Sequence, residues 1–165
     1  MADRPQSRRK VITVSSDRVP APALPVVWRP KVGPIVAYGL AVLLMLGAVA
    51  MAVFLPPPFT IVDKIAVVAL AGLVCWVLHL LGRCRVEADE RGITLFNVLK
   101  VHRYEWPEVI AVTLTESEPW AKIDFSDGMT IGAMGLQGSE KERTARQVRE
   151  LAALIRERGE AQGSR

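Results

Sequence analysis

Hydrophobic residues along this chain fall into three spacing regimes. In the first they are continuous: Ile35 to Leu55, IVAYGLAVLLMLGAVAMAVFL, holds no charged residue, and neither does Ile65 to Leu81, IAVVALAGLVCWVLHLL. As helices these runs reach ~31 Å and ~26 Å at about 1.5 Å per residue, against a bilayer core of about 30 Å. Neither run has the polar face that a surface helix of a soluble domain needs. Between them lies LPPPFTIVDK, whose three prolines cannot continue a helix. The pattern therefore predicts a transmembrane hairpin over residues 28–82, with spans at about 35–55 and 62–81.

From Arg83 the apolar positions alternate with polar ones, the period of a half-buried strand. RCRVEADERGITLFNVLKVHRYEW reads as strand, turn at Glu90-Arg91-Gly92, strand, reversal near Lys100, and a third strand ending at Trp106. Pro107 then removes a ladder donor. VIAVTLTE forms the next strand, and in WAKIDFSDGMTIGAM the Asp127-Gly128 pair between alternating runs is a strong hairpin signal. Six short antiparallel strands are predicted.

The third regime is helical. Ser139 and Glu142 have the spacing of a capping box, and Ala145, Val148, Leu151, Ala152 and Ile155 recur on one face. Arg146, Arg149, Glu150, Arg156 and Glu157 point away from that face, and Gly159 is expected to stop the helix. Residues 83–160 thus form a small domain, with 161–165 as a disordered tail. Its expected structural core includes Trp106, Trp120, Val148, Leu151 and Ile155.

Charge adds orientation. The net charge is +4, but its location matters more than its size. Arg4, Arg8, Arg9, Lys10, Arg18, Arg29 and Lys31 precede the first run and Arg83 and Arg85 follow the second, whereas the connecting loop has only Lys64, offset by Asp63. Lys and Arg are retained on the cytoplasmic side, so both termini are expected there. Residues 1–27, rich in Pro and Arg, are expected to be mostly disordered. Trp28, Arg29, Lys31, Arg83 and Arg85 are the expected membrane-interface anchors, by the usual placement of amphipathic rings and cationic tips at the headgroup level.

Candidate chemistry is sparse. Cys75 and Cys84 stand nine residues apart along one predicted helix or its exit, ~13 Å at helical rise, too far for a disulfide. His79 is alone on an apolar helix, and His102 is the single histidine of the predicted cytoplasmic part. No nucleophile elbow, Gly-rich phosphate loop or metal-ligand spacing occurs, so neither an enzyme nor a cofactor is expected. From Gly82 to Arg165 there are 13 basic and 14 acidic residues, a balance that argues against nucleic-acid binding.

Three elements carry a resemblance when taken together: Ala88-Asp89-Glu90-Arg91-Gly92-Ile93-Thr94 at the first hairpin, Trp106-Pro107-Glu108-Val109 at the corner, and Trp120-Ala121 followed by Asp127-Gly128. With the two preceding apolar runs, residues of roughly 65 to 136 resemble the bacterial pleckstrin-homology-like family that includes the proteins called low-molecular-weight protein antigen 6. The resemblance implies a two-helix hairpin plus an α+β domain: a bent antiparallel sheet or partial barrel of about six strands, closed by the C-terminal helix, in a bacterial cell membrane. It implies little about activity. In such a domain Trp106 is buried against the closing helix, Pro107 fixes the backbone direction and Glu108 faces water, with a ligand-stacking ring as the alternative for Trp106.

Fold does not carry function. The lipid-binding members of that superfold use a basic first hairpin loop, and here Asp89-Glu90-Arg91-Gly92 is partly acidic. The expected function is a membrane-anchored interaction or assembly module at the cytoplasmic face, with the lipid bilayer and a protein ligand as partners. The alternative is an anionic-lipid sensor using Lys100, His102 and Arg103 for headgroup contact. An enzyme is the remoter alternative.

Overall fold

The structure is a computed structural model that describes residues 11–12, 19–115 and 118–163. Two long apolar helices, α1 (Val32–Phe54) and α2 (Ile61–Gly82), form an antiparallel pair. Both are long and apolar enough to cross a membrane. After the proline loop α2 starts sharply, because Thr60 and Asp63 cap each other: Asp63 Oδ2 accepts the Thr60 N–H at 2.7 Å, and Thr60 Oγ1 accepts the Asp63 N–H. Only small side chains are buried in the pair, Ala37 and Ala48 on α1 and Ala71 on α2. The Cys75 thiol donates to the Ala41 carbonyl at 3.3 Å, which shows how closely the backbones approach. Large apolar side chains point outward all along both helices; Phe54 is 82% exposed.

An antiparallel hairpin returns the chain to its starting level, so the segments entering α1 and leaving α2 lie side by side. They pair. Strand β2 (Val26–Trp28) runs antiparallel to β3 (Arg85–Ala88), with Trp28 opposite Val86. The sheet continues through β4 (Gly92–Phe96) and β5 (Val101–Glu105) in the order β2-β3-β4-β5. A 3-10 turn, Trp106–Glu108, then leads to β6 (Val109–Thr115), β7 (Trp120–Phe125) and β8 (Thr130–Gln137). With β1 (Val11–Ile12) on its outer side, β6 completes a second sheet of order β1-β6-β7-β8. Helix α3 (Lys141–Gly163) packs on β6, β8 and the 3-10 turn.

The six strands predicted after Arg83 are β3 to β8, and the period-two pattern decides which face each side chain takes. In β7, Ala121, Ile123 and Phe125 are buried while Lys122 and Asp124 are not. The Asp127-Gly128 turn forms with Gly128 at φ 81°, a conformation a Cβ would strain. Gly135 has a different reason: a Cβ there would stand 2.5 Å from the Arg85 Cα, so β8 crosses β3 only because the side chain is missing. The core combines both sheets and α3, with Val86, Ile93, Leu95, Trp106, Phe125 and Leu151 among its members.

Four expectations change. Residues 26–28 are not a loose lead-in, since the hairpin brings them beside β3, and Val11–Ile12 pair with β6. The rest of the segment expected to be disordered lies, for residues 1–10 and 13–18, outside the described residues, as do residues 164 and 165 of the tail. The last helix begins at Lys141 after a 3-10 turn over Gly138–Glu140, so Ser139 is not its N-cap, and it runs past Gly159 to Gly163. Thr144 Oγ1 instead donates to the Gln137 carbonyl and holds the helix start to β8. Trp120 is half-buried rather than core, because strand parity puts it with Lys122 and Asp124, where its ring lies over Gly132.

Candidate functional site

Two surfaces hold the membrane-interface and headgroup candidates singled out by sequence. The first is the junction. Glu140, in the 3-10 turn before α3, accepts the backbone N–H groups of Lys31 and of Val32, the latter at 2.7 Å. These are donors that the first turn of α1 cannot satisfy itself, and a carboxylate there also meets the positive end of the helix dipole. Arg143 sits 3.3 Å from Glu140 and donates to the Arg29 carbonyl. Nothing in the local sequence of Glu140 marks it as a cap, because its partners are more than a hundred residues away.

Around this junction the expected interface anchors separate. Trp28 is 2% exposed, and its indole Nε1 donates to Glu150 Oε2 at 2.9 Å. It is a core residue whose polar edge is satisfied by α3, not a ring at the headgroup level, and Glu150 correspondingly does not point away. Arg85 is also committed: its Nε pairs with Glu87 and its guanidinium lies 3.6 Å from the Phe96 ring centroid. Arg29, Lys31 and Arg83 remain exposed. Arg29 and Arg83 line a cleft of about 320 Å³ with Tyr38, whose hydroxyl is 3.1 Å from His79 Nδ1. Burial pushes the Cys84 thiol above its ordinary pKa, which disfavours the reactive thiolate.

The second surface is strand β5 with the turn that precedes it. Hydrogen bonds from Asn97 N–H to the Lys100 carbonyl and from Trp106 N–H to the Arg91 carbonyl bracket the β4–β5 ladder. Between those closures the antiparallel pattern alternates, so Val101, Arg103 and Glu105 turn their backbone N–H and C=O away from β4. No strand among the described residues pairs with that edge. The Glu105 N–H is taken by Glu108 Oε2 at 2.8 Å, which leaves Val101 and Arg103 open. Glu108 is thus exposed, as expected, but it also closes the end of the edge.

Lys100, His102 and Arg103 do not form one patch. Strand parity sends Arg103 to the face of Val101 and Glu105, and His102 to the face of Tyr104, whose ring is nearly parallel to its own at 6.4 Å between centroids. Tyr104 in turn stacks on Phe125 at 3.8 Å. Loss of water around its phenol, reinforced by the Asp127 and Glu108 carboxylates, raises the Tyr104 pKa above the ordinary 10.0. At the corner Trp106 is 1% exposed and donates its Nε1–H to the Asp89 carbonyl at 3.0 Å, so both the ring and its polar edge are taken up inside the domain. Val148, Leu151 and Ile155 of α3 are buried. Among the described residues no group of three or more His, Cys, Asp or Glu is placed to hold a metal ion.

Comparison with known proteins agrees with this geometry at the level of the domain. Residues 83–153, from the helix exit through most of α3, match the family model described as a bacterial PH domain. The chain is also similar to a protein of Mycobacterium tuberculosis and one of Mycobacterium bovis, each described as uncharacterized: 29% identity over 135 residues, covering 79% of this chain and 88% of the relative. That alignment is longer than the matched domain. No solved structure matches.

Proposed function

We propose that the protein is a membrane-anchored interaction module, with the α1–α2 hairpin in a bacterial cell membrane and the PH-like domain on the cytoplasmic side, where it takes a protein segment by strand addition. The observation that carries this reading is the open β5 edge, two residues with outward-facing donors and acceptors on a strand fixed at both ends. Unpaired edges are a liability that proteins ordinarily cover or blunt. Here one end is covered by Glu108 and the other is left free.

Anchoring is supported by two helices whose apolar side chains point outward all round, an arrangement that water would solvate poorly and lipid tails solvate well. The basic flanks before α1 and after α2 support cytoplasmic termini. The resemblance to the antigen 6 family points the same way. Binding rather than catalysis is favoured because Glu108, Glu140, Glu150 and Arg85 are committed to caps and pairs, and burial disfavours the Cys84 thiolate.

Arg103→Pro tests the edge directly. It deletes an N–H that faces away from β4, so the ladder and the circular dichroism of the full chain should be retained, while a photo-crosslinker placed at Val101 should lose its partner in native membranes. An unchanged cross-link in the proline variant excludes strand addition.

A further inference from the structure

The β4–β5 turn presents Leu99 at 86% exposure and Val101 at 60%, and it does so rigidly. Asn97 N–H donates to the Lys100 carbonyl at 3.1 Å, closing the turn. The Asn97 side chain then clamps it to β8, donating to the Gly132 carbonyl at 2.8 Å and accepting the Met134 N–H at 3.2 Å. A leucine held outward by a pinned turn is not the product of a floppy loop. Beneath it is a cavity of about 200 Å³ whose other wall is the exit of α2, Leu80 and Arg83. The tip of the turn therefore stands beside the last turn of an apolar helix. The opposite end of the same sheet, Asp89 to Arg91, is closed on itself, with the Asp89 carboxylate accepting the Arg91 and Gly92 N–H groups.

Charge follows the same polarity. Arg83, Arg85 and Lys100 line the cavity, and none of its lining residues is acidic. Arg85 is spent on Glu87 and Phe96 and makes the wall. Arg83 and Lys100 have no ion-pair partner among the described residues. Two free cations beside an exposed Leu–Lys–Val tip complement a phosphodiester that sits next to acyl chains.

We propose that the Asn97–Lys100 turn is a membrane-contacting element, with Leu99 dipping into the headgroup–acyl boundary and Arg83 and Lys100 holding the phosphate of an anionic phospholipid. The inference rests on the hairpin spanning the membrane and goes beyond the protein-binding edge: it fixes the domain against the bilayer by its Leu99 end. Two exposed cations would hold a free domain only weakly at physiological salt. A tethered domain faces its lipid at high effective concentration, so a weak contact stays occupied.

The test uses the full chain with Cys75→Ala and Cys84→Ala, a nitroxide attached at Leu99→Cys, and reconstitution into phosphatidylcholine alone or mixed with phosphatidylglycerol. Accessibility to oxygen over a water-soluble nickel chelate should shift toward oxygen at Leu99 when phosphatidylglycerol is present, and Arg83→Gln with Lys100→Gln should reverse that shift. Adding inorganic phosphate to phosphatidylcholine vesicles should not reproduce it; if it does, the site takes free phosphate and the lipid assignment fails. A nitroxide at Leu46→Cys, mid-way along α1, is the reference. Oxygen access at Leu46 with nickel access at Leu99 in both vesicles overturns this inference alone, whereas nickel access at Leu46 overturns the membrane-spanning reading.

Discussion

Glu140 and Val32 are joined by a 2.7 Å hydrogen bond across 108 residues, so the carboxylate at the head of the last helix caps the first. The contact ties the helical hairpin to the domain. Replacing Glu140 by Ala leaves the Lys31 and Val32 donors without that partner and should cost about 0.5–2 kcal/mol, the range for lost helix caps. The expected local signature is faster amide exchange at residues 31–33 with α2 unaffected. Unchanged exchange there would show that the cap carries no stability.

Trp106 should behave as scaffold. Trp106→Ala removes a fully buried indole and should destabilise the domain by about 3–5 kcal/mol. Trp106→Phe keeps most of the packing but orphans the Asp89 carbonyl, for a smaller loss of about 1 kcal/mol. Thermal unfolding of the detergent-solubilised chain ranks them. A Trp106→Ala protein as stable as the parent would return the ring to the ligand-facing alternative.

Trp28 and Trp76 should part company in lipid. Trp28 is buried with its indole on Glu150, while Trp76 is 63% exposed on α2. In vesicles of brominated lipid, Trp76→Phe should remove most of the tryptophan quenching and Trp28→Phe little of it. The reverse result would restore Trp28 as the interface anchor.

Tyr104 should make stability fall at alkaline pH. Its pKa is raised in the folded state by desolvation, then by Asp127 and Glu108, so folding favours the neutral phenol. That contribution is fully present below the ordinary pKa of about 10 and is lost as pH rises through the higher folded value. Ultraviolet titration should show a tyrosine step above the ordinary range, and Tyr104→Phe should abolish that step while flattening the loss of stability with pH.

Topology can be read with single cysteines in a background lacking Cys75 and Cys84. Phe59→Cys, in the exposed loop between the helices, should react with an impermeant thiol reagent in intact cells, and Ser139→Cys should resist it. Labelling of Ser139→Cys from outside would invert the proposed orientation.

Much of this architecture is legible in local patterns. Uninterrupted apolar runs of 17 residues or more can only become long apolar helices, period-two alternation marks the strands after Arg83, and Asp127-Gly128 demands its turn. The burial of Trp106 was implied only by the family resemblance of its Trp-Pro-Glu-Val corner. What sequence could not show depends on pairs far apart in the chain. Trp28 looked like an interface anchor because its neighbours are Arg, Pro and Lys; the antiparallel return of α2 puts it against β3 and Glu150 instead. His102 and Arg103 looked like parts of one basic hairpin because they are adjacent, yet a strand sends adjacent side chains to opposite faces. Local periodicity is a short-range property and determines the elements; caps, edges and cavities arise where distant elements meet, and only the packed chain decides those.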